Sequence, residues 1–349
     1  MAIYIQSAEQ ISIQQPLSDA WFDAPIIYDS VYVRAIEPNY REYIDPNKAR
    51  RMGKILKRAM VTAQVAVKKS GIALPDAIIS GTGLGCIEST GLFLETMVRH
   101  GEELLQPTHF MQSTHNTIGS LVSIDMKCHG YNSTYTHKGV SFENALLDAY
   151  LQLNAGRIKT ALVGGYDEMT PNYQLLLSRI GYWRAHSENP TLKKGEEAFA
   201  GETSVSFMLS SEKNEKSICQ IVGIQLLYKP DENDLQLALK ELLLQNACSI
   251  NDVDAVFVGI SGNKTNDEVY YRNASILFAG KPLAGYKHIF GESYTASGLG
   301  MYAAATCLRK NRIPQYLMLN GSKEINNMKT LLFYNHWEDK NHSFTLLRS

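Results

Sequence analysis

Along the chain, stretches with apolar residues every three or four positions alternate with short runs that are apolar almost throughout. The first pattern marks amphipathic helices and the second marks buried strands. From Asn47 to Lys69, Met52, Ile55, Leu56, Met60, Ala63 and Val67 fall at helical spacing. Asp45-Pro46 supplies a cap and a first-turn proline, and Gly71 supplies the stop. Asp76-Ala77-Ile78-Ile79-Ser80-Gly81-Thr82-Gly83 then reads as a buried strand ending in a glycine-rich turn.

The same unit returns later. Asp231 to Ala247 is helical, with Leu235, Leu237, Ala238, Leu242 and Leu243 forming its apolar face. The strand Asp254-Ala255-Val256-Phe257-Val258-Gly259-Ile260-Ser261-Gly262 follows and aligns with the first one. Ser141 to Ala155 is a second amphipathic helix, with Phe142, Ala145, Leu146, Ala149 and Leu153 on one face. Gly156 ends it, and Thr160 to Gly165 reads as the next strand. Its counterpart, Thr295 to Leu308, is rich in Ala and Gly; such small residues let another backbone approach closely, so this helix is expected at the centre. The pattern predicts an α/β protein of two related halves, 1–168 and 169–349, joined near Tyr166 to Glu212. No low-complexity linker separates them, so they are expected to pack as one unit, with polar His186 to Glu197 as a surface loop.

Charge narrows the function. Lys+Arg is 34 and Asp+Glu is 35 over 349 residues, which leaves a net charge of −1. A nucleic-acid binder needs a basic face, so that class is set aside. The basic stretch Lys48 to Lys57, with Arg50, Arg51 and Lys54, reads as a solvated helix face or a dock for an acidic carrier protein. Met1-Ala2-Ile3-Tyr4-Ile5 has no signal-peptide pattern. No apolar run approaches the about 20 residues that span a membrane. Cys86, Cys128, Cys219, Cys248 and Cys307 are scattered, which suggests reduced thiols and a cytoplasmic location. In that compartment the sequon Asn132-Ser133-Thr134 is fortuitous. The histidines form no metal-ligand spacing, and neither a metal nor a cofactor is implied.

Several local motifs, in order, carry a family likeness. They are Gly81-Thr82-Gly83-Leu84-Gly85-Cys86-Ile87-Glu88, the segment Ser113 to Gly130, and Ala155-Gly156-Arg157 through Gly164-Gly165-Tyr166-Asp167-Glu168. Phe199-Ala200-Gly201-Glu202-Thr203-Ser204-Val205-Ser206 and Tyr286-Lys287-His288-Ile289-Phe290-Gly291 follow. From Asp45 onward the chain resembles the β-ketoacyl-acyl-carrier-protein synthases. The resemblance implies a thiolase-like fold with two related α/β halves in a layered α-β-α-β-α arrangement. It also implies a homo- or heterodimer.

A ketosynthase holds its acyl chain on a cysteine at a helix N-terminus, where the thiolate is favoured. Two histidines then stabilise the developing enolate. Matched to those motifs, the cysteine position reads Gly139, and the two histidine positions read Ser261 and Glu292. Lys287 alone keeps the family's residue. Glycine has no nucleophile, serine is no substitute for imidazole, and a carboxylate repels an enolate. Where the family has a Gly-Phe-Gly-Gly loop, this chain has Phe333-Tyr334-Asn335-His336-Trp337-Glu338-Asp339-Lys340-Asn341, expected to narrow or close the entrance.

Other candidates read as structural. Ser141 suits capping, His137 lies in an extended loop, and Cys86 and Cys128 (the latter expected near a strand end) suit packing. Lys287 and Glu292 are expected to pair as ions, against a retained catalytic role for Lys287. Tyr131, Tyr135, Tyr173, Tyr182 and Trp183 read first as core, and otherwise as an acyl cavity or subunit seam. The resemblance therefore implies a non-catalytic subunit of the chain-length-factor type in a type II fatty-acid, polyketide or aryl-polyene pathway. Its partners would be an active ketosynthase and an acyl carrier protein bearing the acyl ligand. The alternatives are an acyltransferase with altered nucleophile chemistry and a ligand-binding pseudoenzyme.

Overall fold

The computed structural model describes residues 2–103, 105–182, 199–319 and 321–349. The expected loop His186 to Glu197 and Trp183 lie outside the described residues. Twelve strands are described: β1 (Ile3–Ile11), β2 (Ala77–Gly81), β3 (Tyr131–Tyr135), β4 (Thr160–Asp167), β5 (Thr203–Ser210), β6 (Cys219–Tyr228), β7 (Ala255–Val258), β8 (Leu283–Gly285), β9 (Arg312–Ile313), β10 (Ile325–Asn326), β11 (Thr330–Trp337) and β12 (Asn341–Arg348). Ten of them run in the order β3-β2-β4-β5-β1-β6-β12-β11-β7-β8, and β9 and β10 form a small separate pair.

That order is a repeated plan. In the first five strands, β2 is parallel to β3 and β4, and β5 is antiparallel to β4 and β1. In the second five, β7 is parallel to β8 and β11, and β12 is antiparallel to β11 and β6. The two sets join where Ile3 to Ile5 of β1 pair with Cys219 to Ile221 of β6.

The repeat extends to side-chain chemistry. Asp76, just before β2, accepts from the amides of Lys159 and Thr160 at 2.9 and 3.0 Å and so fixes the start of β4. Asp254, just before β7, accepts from the amides of Lys329 and Thr330 at 2.7 and 2.9 Å and fixes the start of β11. The alignment of the two Asp-Ala strand openings therefore has a physical basis in both halves.

Two helices occupy the interior. Ser141–Asn154 packs on β1, β2, β3, β4 and β6. Ala296–Lys310 packs on β1, β4, β5, β6, β7 and β11, and the two helices also touch each other. Every residue from Ala296 to Leu308 is buried, which explains the run of small side chains. These helices and the inward sheet faces build the largest apolar cluster, which includes Phe142, Val205, Phe257, Leu299 and Phe333.

Three local expectations need correction. The helix expected as one piece from Asn47 is two: Pro46–Ala49, whose N-cap is Asp45, and Lys54–Ser70. Gly53 caps the second piece, so the glycine interrupts the periodic pattern. Gly71 ends it in the left-handed region, at φ 76°. Cys128 follows the helix Thr117–Met126 rather than a strand, and its thiol donates to the carbonyl of Pro75 at 3.3 Å. Finally, Phe333 to Trp337 do not form a loop. They are the second half of β11, and the chain turns only at Glu338 and Asp339, both with positive φ.

All five cysteines are buried and free. No helix among the described residues is long and apolar enough to cross a membrane.

Candidate functional site

The site forms where the ends of β11 and β7 meet the turn before the Ser141–Asn154 helix. Lys138, in the left-handed region, leads into a tight turn that carries Gly139 and Val140, and both are buried. The Ser141 hydroxyl closes this turn, accepting from the His137 amide and donating to the Lys138 carbonyl, each at 2.7 Å. Ser141 is thus structural.

The space over Gly139 is taken. A Cβ built on Gly139 would lie 2.1 Å from Cε3 and 2.5 Å from Cδ2 of Trp337. No side chain of any kind fits there while the indole keeps its place. Trp337 is itself held by rings: Tyr294 meets it edge-on at 5.2 Å and Tyr182 lies at 6.0 Å. The Tyr294 hydroxyl shares a 2.8 Å hydrogen bond with that of Tyr173. Of the expected aromatic set, Tyr173 and Tyr182 therefore reach the site, whereas Tyr131 and Tyr135 lie on the edge strand β3.

Asn335, two residues before Trp337, ties this corner together. Its amide nitrogen donates to Glu143 Oε1 at 2.5 Å and to the Gly139 carbonyl at 3.3 Å. Its carbonyl accepts from the Tyr270 hydroxyl at 2.7 Å. One buried side chain thereby joins β11, the Gly139 turn and two helices.

Lys287 and Glu292 form the expected ion pair, with Nζ 2.5 Å from Oε2 and both side chains under a tenth exposed. Glu292 is fixed further by its own backbone: its amide donates to the Phe199 carbonyl at 3.0 Å, and its carbonyl accepts from Gly201 at 2.9 Å. Ser261 plays a different part. Its amide and that of Gly262 donate to the Asp267 carboxylate at 3.0 and 2.8 Å, which folds the turn after β7.

The field inside is acidic. Burial raises Glu143 to about 7 and Asp267 to about 6, and Lys287 is near enough to oppose both shifts. Burial also raises Glu292, again against the pull of Lys287. Three carboxyl groups thus share one buried ammonium. His336 is buried beside Tyr270, with ring centroids 4.2 Å apart, and burial holds it well below the usual histidine range. It is a neutral imidazole whose Nε2 reaches the Asn266 carbonyl at 2.9 Å.

Such a site offers no nucleophile at Gly139, and the Lys287 amine that could steady a developing anion is already paired with Glu292. Cys86 is buried, and burial pushes its thiol well up, which disfavours the reactive thiolate. No group of three or more His, Cys, Asp or Glu residues that could hold a metal occurs among the described residues. Outside the Trp337 hairpin lies a cavity of about 540 Å³, lined by Tyr182, Asn263, Asn266, Val269, Arg272 and Asp339 among others.

Sequence reading did not single out Asn335, Glu143 or Asp267. Glu143 carried a faint signal, since a carboxylate one residue after the apolar Phe142 begins the helix near its buried side. For Asn335 and Asp267 only the folded backbone brings the partners together.

A family model for the N-terminal domain of β-ketoacyl synthases matches residues 32–219. No curated protein sequence matches the chain. Among solved structures, a β-ketoacyl synthase from Burkholderia phymatum STM815 is similar with a TM-score of 0.86 at 14% identity, covering 99% of each chain. The ishigamide ketosynthase/chain length factor is similar with a TM-score of 0.83 at 14% identity, covering 100% of this chain and 99% of that one. The ketosynthase ApeO in complex with its chain length factor ApeC, from Xenorhabdus doucetiae, gives a TM-score of 0.79 at 14% identity over 99% of this chain and 98% of that one. At such identities the likeness establishes the fold, which is thiolase-like.

Proposed function

The chain belongs to the β-ketoacyl synthase family, and on that premise we propose that it is a non-catalytic, chain-length-factor-type subunit. It would pair with an active ketosynthase of a type II fatty-acid, polyketide or aryl-polyene pathway. The observation that carries this reading is the occupation of the space over Gly139 by Trp337. A damaged enzyme that had merely lost its cysteine would leave that space open. Here an indole fills it, the rings of Tyr182 and Tyr294 pack on the indole with Tyr294 tied in turn to Tyr173, and Asn335 locks the strand that carries it.

On this reading Gly139, Ser261 and Glu292 stand at the positions of the family's nucleophile and two histidines, and Lys287 is retained as half of an ion pair. The subunit contributes surface and shape to a dimer, while chemistry on the carrier-bound acyl chain takes place in the partner. It needs no metal or redox cofactor for that role. Two of the similar solved structures support the reading, since one is a ketosynthase/chain length factor and the other a ketosynthase in complex with one.

The test is reconstitution. A ketosynthase with an intact nucleophile, from the same host, is assayed for condensation with carrier-bound substrates, alone and with this chain. The reading expects the mixture to give product of defined length where the ketosynthase alone gives little or an irregular range. Identical product with and without the chain would contradict it.

A further inference from the structure

Two histidines face each other across the hairpin that carries Trp337. His336 on β11 and His342 on β12 are partners in the strand register, with ring centroids 5.8 Å apart and ring planes at 28°. Both are buried. Between them run Trp337, the turn at Glu338 and Asp339, Lys340 and Asn341.

Hydrogen bonds fix where each ring keeps its proton. His336 Nε2 meets the Asn266 carbonyl at 2.9 Å, so it carries the hydrogen, and Nδ1 accepts from the Asp339 amide at 3.4 Å. The Tyr334 hydroxyl accepts from the Asn273 side chain at 2.5 Å and gives its own proton to His342 Nδ1 at 2.9 Å. The hydrogen of His342 therefore sits on Nε2, which faces Asp339 Oδ1 at 3.4 Å. Each Nδ1 is thus turned toward a donor. A second proton on either ring meets that donor head-on, and two charged rings would lie against each other in a buried site.

The charged neighbours do not offset this cost. On the helix Lys264–Leu277, Tyr270 packs its phenol ring on His336, and Arg272 donates to Asp339 Oδ1 at 2.7 Å, so that carboxylate is already shared. Lys287, on the short helix Lys287–Phe290, adds positive charge near His336. At the turn, Lys340 and Glu338 pair with each other at 3.0 Å. Burial above all, and then charge repulsion, holds both rings below the ordinary histidine range.

Asp339 joins both rings to the turn, since its amide serves His336 and its carboxylate faces His342. Proton uptake expels that amide from His336 Nδ1 and frees the turn. Trp337 lies next to His336 in the chain and moves with it. The cavity of about 540 Å³ outside the hairpin, lined in part by Asp339, gives the turn room. We propose that His336 and His342 form an acid-released latch: when both take up a proton, the tip of the β11–β12 hairpin opens and withdraws Trp337 from the space over Gly139.

The direction follows from linkage. Both folded values are depressed, so the closed tip is fully favoured above the ordinary value of 6.5 and loses ground as pH falls below it. Each proton taken up on opening changes the opening constant about tenfold per pH unit, so two change it about a hundredfold.

The test follows hydrogen exchange in the full-length chain from about pH 7.5 to about pH 5, corrected for the intrinsic pH dependence of exchange. In wild type the amides of His336 to His342 and His137 to Phe142 should open, with a slope of up to about a hundredfold per pH unit, while β2 and β4 stay protected. Glutamine keeps a donor and an acceptor but takes up no proton here. His336→Gln and His342→Gln should each cut the slope to about tenfold, and the double variant should be flat. Trp21→Phe/Trp183→Phe leaves Trp337 as the one indole, and its quenching by acrylamide should rise over the same range. Thermal unfolding at neutral pH checks each variant, and the wild-type slope needs none of them. A wild-type tip that opens only together with β2 and β4 would overturn the latch. So would a folded double variant that opens as wild type does. Either result leaves the subunit reading untouched.

Discussion

The indole of Trp337 occupies the position that any side chain on Gly139 would need, although the two residues stand almost two hundred positions apart. The contact is specific, because Asn335 on the same strand donates to the Gly139 carbonyl and fixes the strand against the turn. The two residues should therefore depend on each other energetically. Gly139→Ala forces the indole or the turn to move, at a cost of about 1–3 kcal/mol. In a Trp337→Ala background the same substitution should cost little. Urea unfolding of the two single variants and the double variant gives the coupling directly. Additive losses would mean that the two residues do not share this space in solution.

The pair Lys287–Glu292 makes a second prediction. Removing one partner leaves a buried charge uncompensated, so Lys287→Met should destabilise by about 3–5 kcal/mol. Lys287→Met/Glu292→Gln should recover a large part of that loss, since no full charge remains at the pair. A double variant no more stable than the single one would show that the ion pair is not the relevant interaction.

Asn335 makes a third. Asn335→Leu deprives Glu143, the Gly139 carbonyl and the Tyr270 hydroxyl of a partner at once. The expected loss is about 3 kcal/mol, with faster amide exchange from His137 to Phe142. Unchanged exchange across that turn would mean that Asn335 does not hold it.

The pH dependence follows from Glu143, raised by burial to about 7 from an ordinary value of 4.5. Between those values the folded state holds a proton that the unfolded state has lost, so stability falls as pH rises from about 4.5 to 7, then levels. His336 acts in the opposite sense: its folded value is depressed, so stability is lost as pH drops below the ordinary histidine value of 6.5. Glu143→Gln isolates the first effect. The variant should gain stability relative to wild type as pH climbs through that window, and the difference should fade toward pH 4.5. A pH-independent difference would place the raised carboxyl elsewhere.

The repeated plan was legible in the sequence because it rests on local signals. The two Asp-Ala strand openings mark β2 and β7, and in the structure each aspartate fixes the next parallel strand. The apolar spacing of Phe142, Ala145, Leu146, Ala149 and Leu153 marked the central helix, and all five are buried. The break at Gly53 was missed because apolar periodicity runs on through it, while the glycine acts on backbone direction. The strand character of Phe333 to Trp337 was missed for another reason. Every residue of β11 is buried on both faces, so the alternation that marks a strand is absent and polar Asn335 and His336 resemble a loop. The same burial places Trp337 over Gly139. That Gly139 carries no side chain is plain from one residue, but the filling of the space over it required the fold.

The central proposal, that this chain takes no acyl group covalently, is tested most directly by intact-mass measurement. The purified chain is incubated with an acyl thioester of an acyl carrier protein, beside an active ketosynthase as positive control. The account predicts an unchanged mass for this chain and an acyl adduct on the control. A covalent acyl adduct on this chain would contradict it.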